Sequence, residues 1–239
     1  MSTVSSPLAT LAAVPPPDLP GGWGWLVAAY LLGSVPFGWL MAKLIKGVDI
    51  RTTGSGNIGA TNAMRALGKP LGLIAFALDV FKGWAPVALL APAAFGSDSL
   101  HLAQVLFGAA AVLGHVFPIY LGFKGGKAVA TGCGALVGID PLIFLISGLV
   151  WLVTLGLTRM VGASSLAMSV AFPIVAWARS GAQPYGMEVV AGAAGLTFLV
   201  VIRHRSNIKR ILNGTEPRIG SKKPAAETAP ASSTPPNHG

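Results

Sequence analysis

The sequence predicts an all-α integral membrane protein with seven transmembrane helices, and three observations support this. Hydrophobic residues make up 53% of the 239 residues and charged residues only 10%, against roughly 25% charged in an ordinary soluble domain. The apolar residues form seven blocks of 12–25 residues, and a stretch of about 20 crosses a hydrocarbon core of about 30 Å. The 17 lysines and arginines outnumber the 8 acidic residues and fall mainly between these blocks. Little of the chain is left for a separate soluble domain.

Seven apolar segments follow one another along the chain, at 24–45, 71–95, 102–120, 128–139, 142–157, 164–178 and 189–202. The fourth is short, and a segment of about 12 apolar residues is more often re-entrant or buried in protein than exposed to lipid. Asp140 and Pro141 divide it from the fifth segment, because proline removes a hydrogen-bond donor and disfavours helix in the preceding residue. The alternative merges the fourth and fifth segments into one bent helix, which gives six spans.

The positions of the cations favour seven spans, since short cytoplasmic loops hold the excess of lysine and arginine. With the amino terminus outside, 15 of the 17 basic residues fall on the cytoplasmic side, Arg179 falls outside and Lys82 lies within a span. A merged helix would leave about half of them on the wrong face. We therefore expect the amino terminus outside and the carboxyl terminus in the cytoplasm.

The domain organisation follows from composition at the two ends of the chain. Residues 1–22 are rich in proline and contain no lysine or arginine, so they lack the basic start of a secretory signal and are expected to form a flexible leader. Residues 220–239 are rich in Pro, Ala, Ser and Thr, which predicts a disordered cytoplasmic tail. Residues 23–219 are expected to form a single polytopic membrane domain.

The first of three polar, glycine-rich segments links the first two spans, at 49–65. Gly54 and Gly56 let the backbone turn sharply, so that successive N–H groups can cup an anion. Arg65 supplies a planar fork that can grip phosphate with two parallel hydrogen bonds. The short polar side chains of the segment are Ser55, Asn57, Thr61 and Asn62. The alternative is a solvated loop in which the glycines only permit turns.

The second segment lies between the third and fourth spans and places glycines before a lysine. It is not a Walker A loop, because Ala128 stands where serine or threonine would hold magnesium. Gly125 and Gly126 lead into a helix whose first N–H groups carry partial positive charge, and Lys124 and Lys127 add two full charges. Anion binding and the anchoring of a helix end on the cytoplasmic side both fit this segment.

The third segment, at 203–217, follows the last span. His204 and Asn207 are three residues apart and therefore share one face of a helix leaving the membrane. A basic cluster beside a membrane commonly anchors topology or attracts anionic head groups, but that alternative does not explain the His–Asn pair or the Gly-Thr-Glu-Pro turn at 214–217. Because all three segments lie on one predicted face, we expect them to form one anion-binding site.

Several residues within the spans carry further expectations. Asp79 and Lys82 are three apart and can pair on one helical face, which reduces a cost of about 2.5–3.5 kcal/mol for each charge at a helix centre. His115 stands in an apolar run and is expected to be a packing or orienting group rather than a base. Cys133 is the one cysteine, which excludes an intrachain disulfide, and we expect it to be a packing residue.

These motifs together resemble the bacterial acyl-phosphate-dependent glycerol-3-phosphate acyltransferases of the inner membrane, the PlsY family. The resemblance covers about residues 25–219. It depends on these elements in the same order: Gly-Ser-Val-Pro-Phe-Gly at 33–38, the run 54–62 with Arg65, Leu-Asp at 78–79 with Lys-Gly at 82–83, the run 122–127 with Ala-Thr at 130–131, and His204 with Asn207 before 214–217.

The resemblance implies a seven-span fold in the bacterial inner membrane, with the site facing the cytoplasm. It also implies transfer of a fatty acyl group from acyl-phosphate to the 1-hydroxyl of sn-glycerol 3-phosphate, giving lysophosphatidic acid and phosphate, the first step of phospholipid biosynthesis. The implied partners are these two substrates and membrane lipid, with no nucleic acid. No residue pattern demands a metal ion or an organic cofactor.

Matching positions assign roles to individual residues. The catalytic group carried over is Ser55, Arg65, Lys124, His204 and Asn207. The substrate-binding group is Gly54, Gly56, Asn57, Thr61, Asn62, Gly125, Gly126, Lys127 and Ser165. Two departures stand out: Ala128 replaces the usual glycine, and Met-Val-Gly at 160–162 replaces Tyr-Val-Ser. The serine of the sixth span is therefore Ser164 or Ser165.

Two functions and two mechanisms stay open at the level of sequence. The glycerol hydroxyl is expected to attack acyl-phosphate directly, with the proton passing to a substrate phosphate or to His204. No His-x-x-x-x-Asp signature or nucleophile elbow is present. A membrane transporter of a phosphorylated metabolite is the alternative function, although such a protein often has two related halves and the sequence contains no such repeat.

Overall fold

A computed structural model describes residues 23–95, 100–183 and 185–220, and these residues form helices and connecting loops without a β-strand. The leader predicted at 1–22 lies outside the described residues, as does the predicted tail beyond residue 220. The prediction of an all-α protein is confirmed for the described part of the chain.

The helices have the following bounds. In chain order, the α-helices of the described residues are α1 (Gly24–Ser34), α2 (Phe37–Lys46), α3 (Ala60–Leu67), α4 (Lys69–Ala85), α5 (Ala91–Ala94), α6 (Leu100–Val116), α7 (Val129–Ile139), α8 (Pro141–Thr158), α9 (Val161–Ser180), α10 (Met187–Arg203) and α11 (Arg205–Leu212). A π-helical turn, Pro86–Leu90, joins α4 to α5, and a 3₁₀ turn, Ile119–Leu121, follows α6.

The apolar helices match the predicted segments and make the chain a multi-pass membrane protein. Four stretches are long and apolar enough to cross a membrane by themselves: Lys69–Ala94, Leu100–Leu121, Pro141–Thr158 and Val161–Ser180. The pairs α1–α2 and α10–α11 raise the number to six if each bent pair is one span. The shorter apolar helix α7, which has 11 residues, corresponds to the short fourth segment.

The first apolar segment is bent, a feature that the sequence analysis did not predict. Helices α1 and α2 meet at an angle of 42°, because Pro36 has no N–H to continue the helical ladder and Val35 takes an extended conformation. The Val35 carbonyl leaves the helical ladder and accepts hydrogen bonds from the Phe37 N–H at 3.2 Å and from Lys82 Nζ at 2.7 Å.

Glycines bring pairs of helices into backbone contact. A Cβ atom added to Gly83 of α4 would lie 2.0 Å from the carbonyl oxygen of Thr131, and one added to Gly134 of α7 would lie 1.9 Å from that of Val80. Gly33 of α1 approaches the carbonyl of Ala111 in the same way, at 2.1 Å. Small residues at such crossings are the usual means by which helices pack closely in membranes.

Asp140 separates α7 from α8, as the sequence predicts. Its carboxylate accepts hydrogen bonds from the Leu142 N–H at 3.0 Å, Arg179 Nε at 2.6 Å and the Tyr185 hydroxyl at 3.1 Å. Burial opposes ionisation, but these donors hold the pKa of Asp140 below its ordinary value. Arg179, the cation predicted on the outer face, therefore joins the end of α9 to the α7–α8 junction.

The core beside α7 is apolar and includes the cysteine. Cys133 is 2% exposed and packs in one cluster with Leu136, Met168 and Phe172. Its surroundings agree with the packing role expected from the sequence.

The α4–α7 contact generates a testable prediction. Gly134→Ala is expected to lower the free energy of unfolding by about 1–3 kcal/mol, because the new methyl group overlaps the Val80 carbonyl and the helices must separate. Thermal unfolding of the purified protein in detergent measures the effect. Gly148→Ala in α8 is the matched control, since a Cβ there meets nothing within 4 Å. Equal melting temperatures for the two variants would contradict the close crossing.

Candidate functional site

The three predicted polar segments meet around one cavity of about 270 Å³, beside the start of α7 and the end of α10. The residues that line it come from the loop before α3, from the segment before α7, and from α10 and α11: Ser55, Gly56, Asn57, Gly125, Lys127, Arg203, Arg205, Ser206 and Arg210. The structure therefore brings together residues separated by about 150 positions in the sequence.

Asn62 organises the first wall of the cavity. Its amide nitrogen donates to the carbonyls of Ile50 at 2.7 Å and Thr53 at 3.2 Å, and its Oδ1 accepts from the Ser55 N–H at 3.0 Å. The Asn62 side chain is only 2% exposed, and Gly54 leaves it room, since a Cβ there would lie 2.3 Å from Oδ1. Asn62, predicted to bind substrate, therefore holds the loop in place through both amide atoms.

The same loop presents Ser55, Gly56 and Asn57 to the cavity. Asn57 Oδ1 accepts a hydrogen bond from the Gly59 N–H at 2.8 Å, which closes the turn into α3. Ser55 is exposed, and its backbone N–H is held by Asn62. The Ser55 hydroxyl is consequently available to a bound molecule.

Gly125 and Gly126 form the second wall in a way that corrects the prediction. The Gly125 N–H donates to the Val116 carbonyl at 3.1 Å and the Gly126 N–H to the His115 carbonyl at 3.0 Å. These two N–H groups are therefore occupied by the end of α6 and do not cup an anion. The physical reason is that the last carbonyls of a helix need donors, and this segment supplies them.

The carbonyl groups of the same two glycines hold a cation. Arg203 Nε donates to the Gly126 carbonyl at 3.0 Å, and Arg203 Nη2 donates to the Gly125 carbonyl at 2.8 Å. The positive charge on this side of the cavity thus comes from Lys127 of the second segment and from Arg203 of the third, and the glycine backbone orients the guanidinium.

Ala128 preserves a backbone conformation suited to glycine. Its φ is +70°, in the left-handed region, and it caps α7 with its side chain fully buried. For a residue with a Cβ, this conformation costs about 1–2 kcal/mol. The departure from the family pattern at this position therefore leaves the turn in place at a local conformational cost.

A chain of hydrogen bonds fixes Lys127. Lys127 Nζ donates to Asn207 Oδ1, Asn207 Nδ2 donates to Glu216 Oε1 at 2.7 Å, and Arg210 Nε donates to Glu216 Oε2 at 2.8 Å. Asn207 and Glu216 are 6% and 7% exposed. The turn at 214–217 therefore places the buried Glu216 carboxylate where it connects two cations of the cavity, Arg210 directly and Lys127 through Asn207.

The electrostatic surroundings of Lys127 change its titration. Burial and, next, the positive charge of Arg210 lower the pKa of Lys127 to about 8, while Glu216 opposes the shift. Arg203 and Arg65 add smaller repulsions. Lys127 is therefore mostly charged at pH 7 but loses its charge at moderately alkaline pH.

His204 lies at the 61° bend between α10 and α11 and is 3% exposed. Its Nδ1 is 2.9 Å from the Val200 carbonyl. Because a carbonyl can only accept, Nδ1 is assigned the proton and Nε2 keeps a lone pair. Burial, followed by the charge of Lys127, lowers the pKa of His204 to about 4. The ring is therefore neutral at pH 7.

Helix α9 contributes a glycine to the site in place of the predicted serine. The Ser164 hydroxyl donates to the Met160 carbonyl at 2.9 Å, and the Ser165 hydroxyl accepts from Trp151 Nε1 at 3.4 Å, so Ser165 lies at the α8–α9 interface. Gly162 instead contacts the site, since a Cβ there would lie 2.4 Å from Glu216 Oε1. The glycine makes room for the buried carboxylate.

Three further predicted residues lie outside the lining of the cavity. Thr61, Arg65 and Lys124 are exposed, and only the charge of Arg65 acts on Lys127. Sequence reasoning also missed cavity residues, namely Arg203, Arg205, Ser206 and Arg210. The signal for them in the sequence was that they form a basic cluster, but such a cluster is equally typical of a segment that anchors the membrane topology.

The arrangement can hold phosphate groups. Lys127, Arg203, Arg205 and Arg210 surround the cavity, and Ser55 and Ser206 add hydroxyls. Guanidinium groups bind phosphate oxygens through two parallel hydrogen bonds.

Comparison with known proteins gives concordant matches. The family model described as glycerol-3-phosphate acyltransferase matches residues 23–214. Two curated proteins named glycerol-3-phosphate acyltransferase match this chain. The protein from Allorhizobium ampelinum is 43% identical over 82% of this chain and 91% of that protein, and the protein from Aquifex aeolicus is 46% identical over 81% of this chain and 97% of that protein.

Solved structures match as well. A crystal structure of PlsY, an integral membrane glycerol 3-phosphate acyltransferase, in its glycerol 3-phosphate form, matches with a TM-score of 0.77 and 41% identity, over 84% of this chain and 96% of that one. The lysophosphatidic acid form matches at 0.75 and 40%, with the same shares covered.

The role of Asn62 generates a second prediction. Asn62→Ala removes three hydrogen bonds that hold the loop, one of them to the carbonyl of buried Ile50, at about 0.5–1.5 kcal/mol for each hydrogen bond. We expect trypsin to cut the 49–65 loop at least tenfold faster, measured by mass spectrometry of timed digests. Asn213→Ala, at an exposed position after α11, is the control. Unchanged cleavage in the Asn62 variant would show that the amide does not hold the loop.

Proposed function

This chain belongs to the glycerol-3-phosphate acyltransferase family, as its motifs indicate, and we propose that it acylates the 1-hydroxyl of sn-glycerol 3-phosphate with acyl-phosphate as the donor. The products are lysophosphatidic acid and phosphate. This proposal depends on the small cavity of four cations and two hydroxyls beside an apolar helix bundle. The cations suit the phosphate groups that both substrates carry, and the apolar helices suit the acyl chains of the donor and the product.

The proposed topology has seven spans in the bacterial inner membrane, with the amino terminus outside and the carboxyl terminus in the cytoplasm. Every predicted apolar segment is helical, and α7 counts as a short span packed inside the protein. With this orientation, 15 of the 17 lysines and arginines lie on the cytoplasmic side. The cavity then opens to the cytoplasm, where a soluble phosphorylated substrate can reach it.

Two cations of the cavity, Arg203 and Lys127, are held before any substrate arrives. The Arg203 guanidinium is fixed by two carbonyls, and Lys127 is fixed by Asn207. Charges that are already oriented stabilise the developing oxyanion and the leaving phosphate without reorganising during the reaction. The Ser55 hydroxyl is a further donor, and Arg65 and Lys124, both exposed, complete the proposed catalytic group with His204 and Asn207. Of the predicted substrate-binding residues, Gly56, Asn57 and Lys127 line the cavity and are proposed to contact substrate.

In the proposed reaction, the glycerol hydroxyl oxygen bonds to the carbonyl carbon of acyl-phosphate and the bond from that carbon to the phosphate oxygen breaks. The hydroxyl proton passes to a phosphate group of the substrates. Burial lowers the pKa of His204 to about 4, which makes its ring a weak base, and a substrate phosphate, whose second pKa in water is about 6, is the proposed acceptor. His204 then orients neighbouring groups through its lone pair on Nε2.

One assay tests the function. Purified protein in detergent, supplied with acyl-phosphate and labelled glycerol 3-phosphate, should form lysophosphatidic acid, and acyl thioesters of coenzyme A or acyl carrier protein should not replace the donor. The transporter alternative predicts no product from folded protein and flux of the metabolite into liposomes. Family membership and the likeness to acyltransferase structures favour the transferase.

The proposed proton acceptor leads to a prediction for His204. His204→Gln should retain kcat within about tenfold of the parent, because general-base catalysis by a side chain contributes about 10²–10⁴-fold and this residue is not assigned that role. Initial rates at saturating substrate measure the effect. A loss of kcat beyond a hundredfold in a variant with an unchanged melting temperature would make His204 the base.

The titration of Lys127 leads to a pH prediction. The pKa of Lys127 is lowered to about 8, so the positive charge is lost as the pH rises through 8, and kcat/KM, which reports the free enzyme, should fall between pH 8 and 9.5. Lys127→Arg keeps the charge over this range and should show a flatter profile, whatever its activity at pH 7. Identical profiles for the two proteins would contradict the assignment.

A further inference from the structure

Three ionisable residues lie buried beneath the cavity and take no part in the proposed reaction. Asp79, Lys82 and His115 are 2%, 0% and 3% exposed. Lys82 Nζ lies 2.8 Å from Asp79 Oδ1, one helical turn away in α4. Burial of two charges is expensive, and an apolar pair of similar volume is often equally stable or more stable. A contribution to stability alone therefore does not explain the ion pair.

Lys82 ties α4 to the bend between α1 and α2. Its ammonium donates to the Val35 carbonyl at 2.7 Å and lies 5.7 Å from the centre of the Phe37 ring. A positive charge is favoured at the carboxyl end of a helix, which is where Val35 follows α1. Helix α2 continues into the loop that carries Ser55, so the ion pair is connected to the first wall of the cavity.

His115 lies between the ion pair and the second wall. Its Nδ1 is 3.9 Å from Asp79 Oδ1 and has no hydrogen-bond partner among the described residues. The opposite edge of the ring supports Gly126, because a Cβ added there would lie 2.0 Å from Nε2 and 2.7 Å from Cε1. The His115 carbonyl also accepts from the Gly126 N–H at 3.0 Å.

Gly126 in turn holds Arg203. Its carbonyl accepts from Arg203 Nε at 3.0 Å, and Arg203 lines the cavity. We propose that His115, held against the Asp79–Lys82 ion pair, is a positioning residue that sets the Gly125–Gly126 segment and, through it, the Arg203 guanidinium at the phosphate-binding cavity. The inference rests on the proposed function, since the anion that Arg203 positions is a substrate phosphate.

A double-variant cycle tests the steric link. In Gly126→Ala the new methyl group overlaps the His115 ring and displaces the segment, and in His115→Ala the ring that supports the segment is lost. Each is expected to weaken glycerol 3-phosphate binding at least tenfold by calorimetry. In the double variant the methyl group introduced at position 126 occupies the space of the missing ring, so the affinity should recover at least threefold over Gly126→Ala. KM should rise more than kcat falls.

Amide hydrogen exchange of the peptide over 122–131 provides a second measurement that needs neither substrate nor turnover. The Gly125 N–H and the N–H at position 126 should exchange faster in each single variant and more slowly again in the double variant. Asp140→Asn is the matched control, because it disrupts a buried carboxylate at the other end of α7. It should lower the melting temperature without changing the affinity or the exchange of this peptide.

The outcomes separate this inference from the proposed function. Failure to form lysophosphatidic acid, with the exchange pattern as expected, would overturn the function and leave the positioning role of His115. Normal exchange and affinity in both single variants, or a double variant no better than Gly126→Ala in both measurements, would overturn the positioning role while the acyltransferase activity stands. An effect of Asp140→Asn equal to that of His115→Ala would reduce His115 to a general contribution to stability.

Discussion

Repulsion among cations is the constraint on which the cavity depends. Four cations line a cavity of about 270 Å³, namely Lys127, Arg203, Arg205 and Arg210. Repulsion between these like charges opposes folding. Glu216 offsets part of this repulsion, because its buried carboxylate accepts from Arg210 and, through Asn207, is connected to Lys127. Burial and, after it, the repulsion that Glu216 does not offset lower the pKa of Lys127, and the excess of positive charge leaves the cavity ready to gain free energy from an anion.

Backbone carbonyls at helix ends and in the segment before α7 provide the other acceptors. Arg203 is held by the carbonyls of Gly125 and Gly126, Lys82 by that of Val35, and the His204 ring by that of Val200. A membrane protein with 8 acidic residues in 239 has few carboxylates to pair with its cations. Backbone carbonyls meet this need at the end of α1, in the last turn of α10 and in the segment before α7, because each carbonyl has two lone pairs and can accept from a side-chain donor.

Much of the fold could be predicted because each apolar segment is locally encoded. The hydrophobic lengths, the Asp140–Pro141 break and the clustering of basic residues all act over a few residues, and the helices appear where these signals stand. The bend at Pro36 was missed although proline was visible, because the sequence does not show that Val35 takes an extended conformation or that its carbonyl meets Lys82 of α4. In the site, the glycine-rich segments pointed to polar loops that can bind an anion. The hydrogen-bond partner of each backbone N–H and each side-chain amide could not be predicted from the spacing of residues in the sequence.

By itself, the sequence determined the membrane class, the helical segments, the family and the three polar segments, because composition, periodicity and motif order are properties of the chain alone. Only the tertiary structure decided which residues of these segments line the cavity, which hold the backbone and which pack elsewhere. In the folded protein, the N–H groups of Gly125 and Gly126 donate to the end of α6, and Asn62 holds a loop. Ser165 packs against Trp151, and Arg203 and Arg210 line the cavity. The physical reason is that a buried polar group must find a partner, and that partner is set by packing between helices distant in sequence.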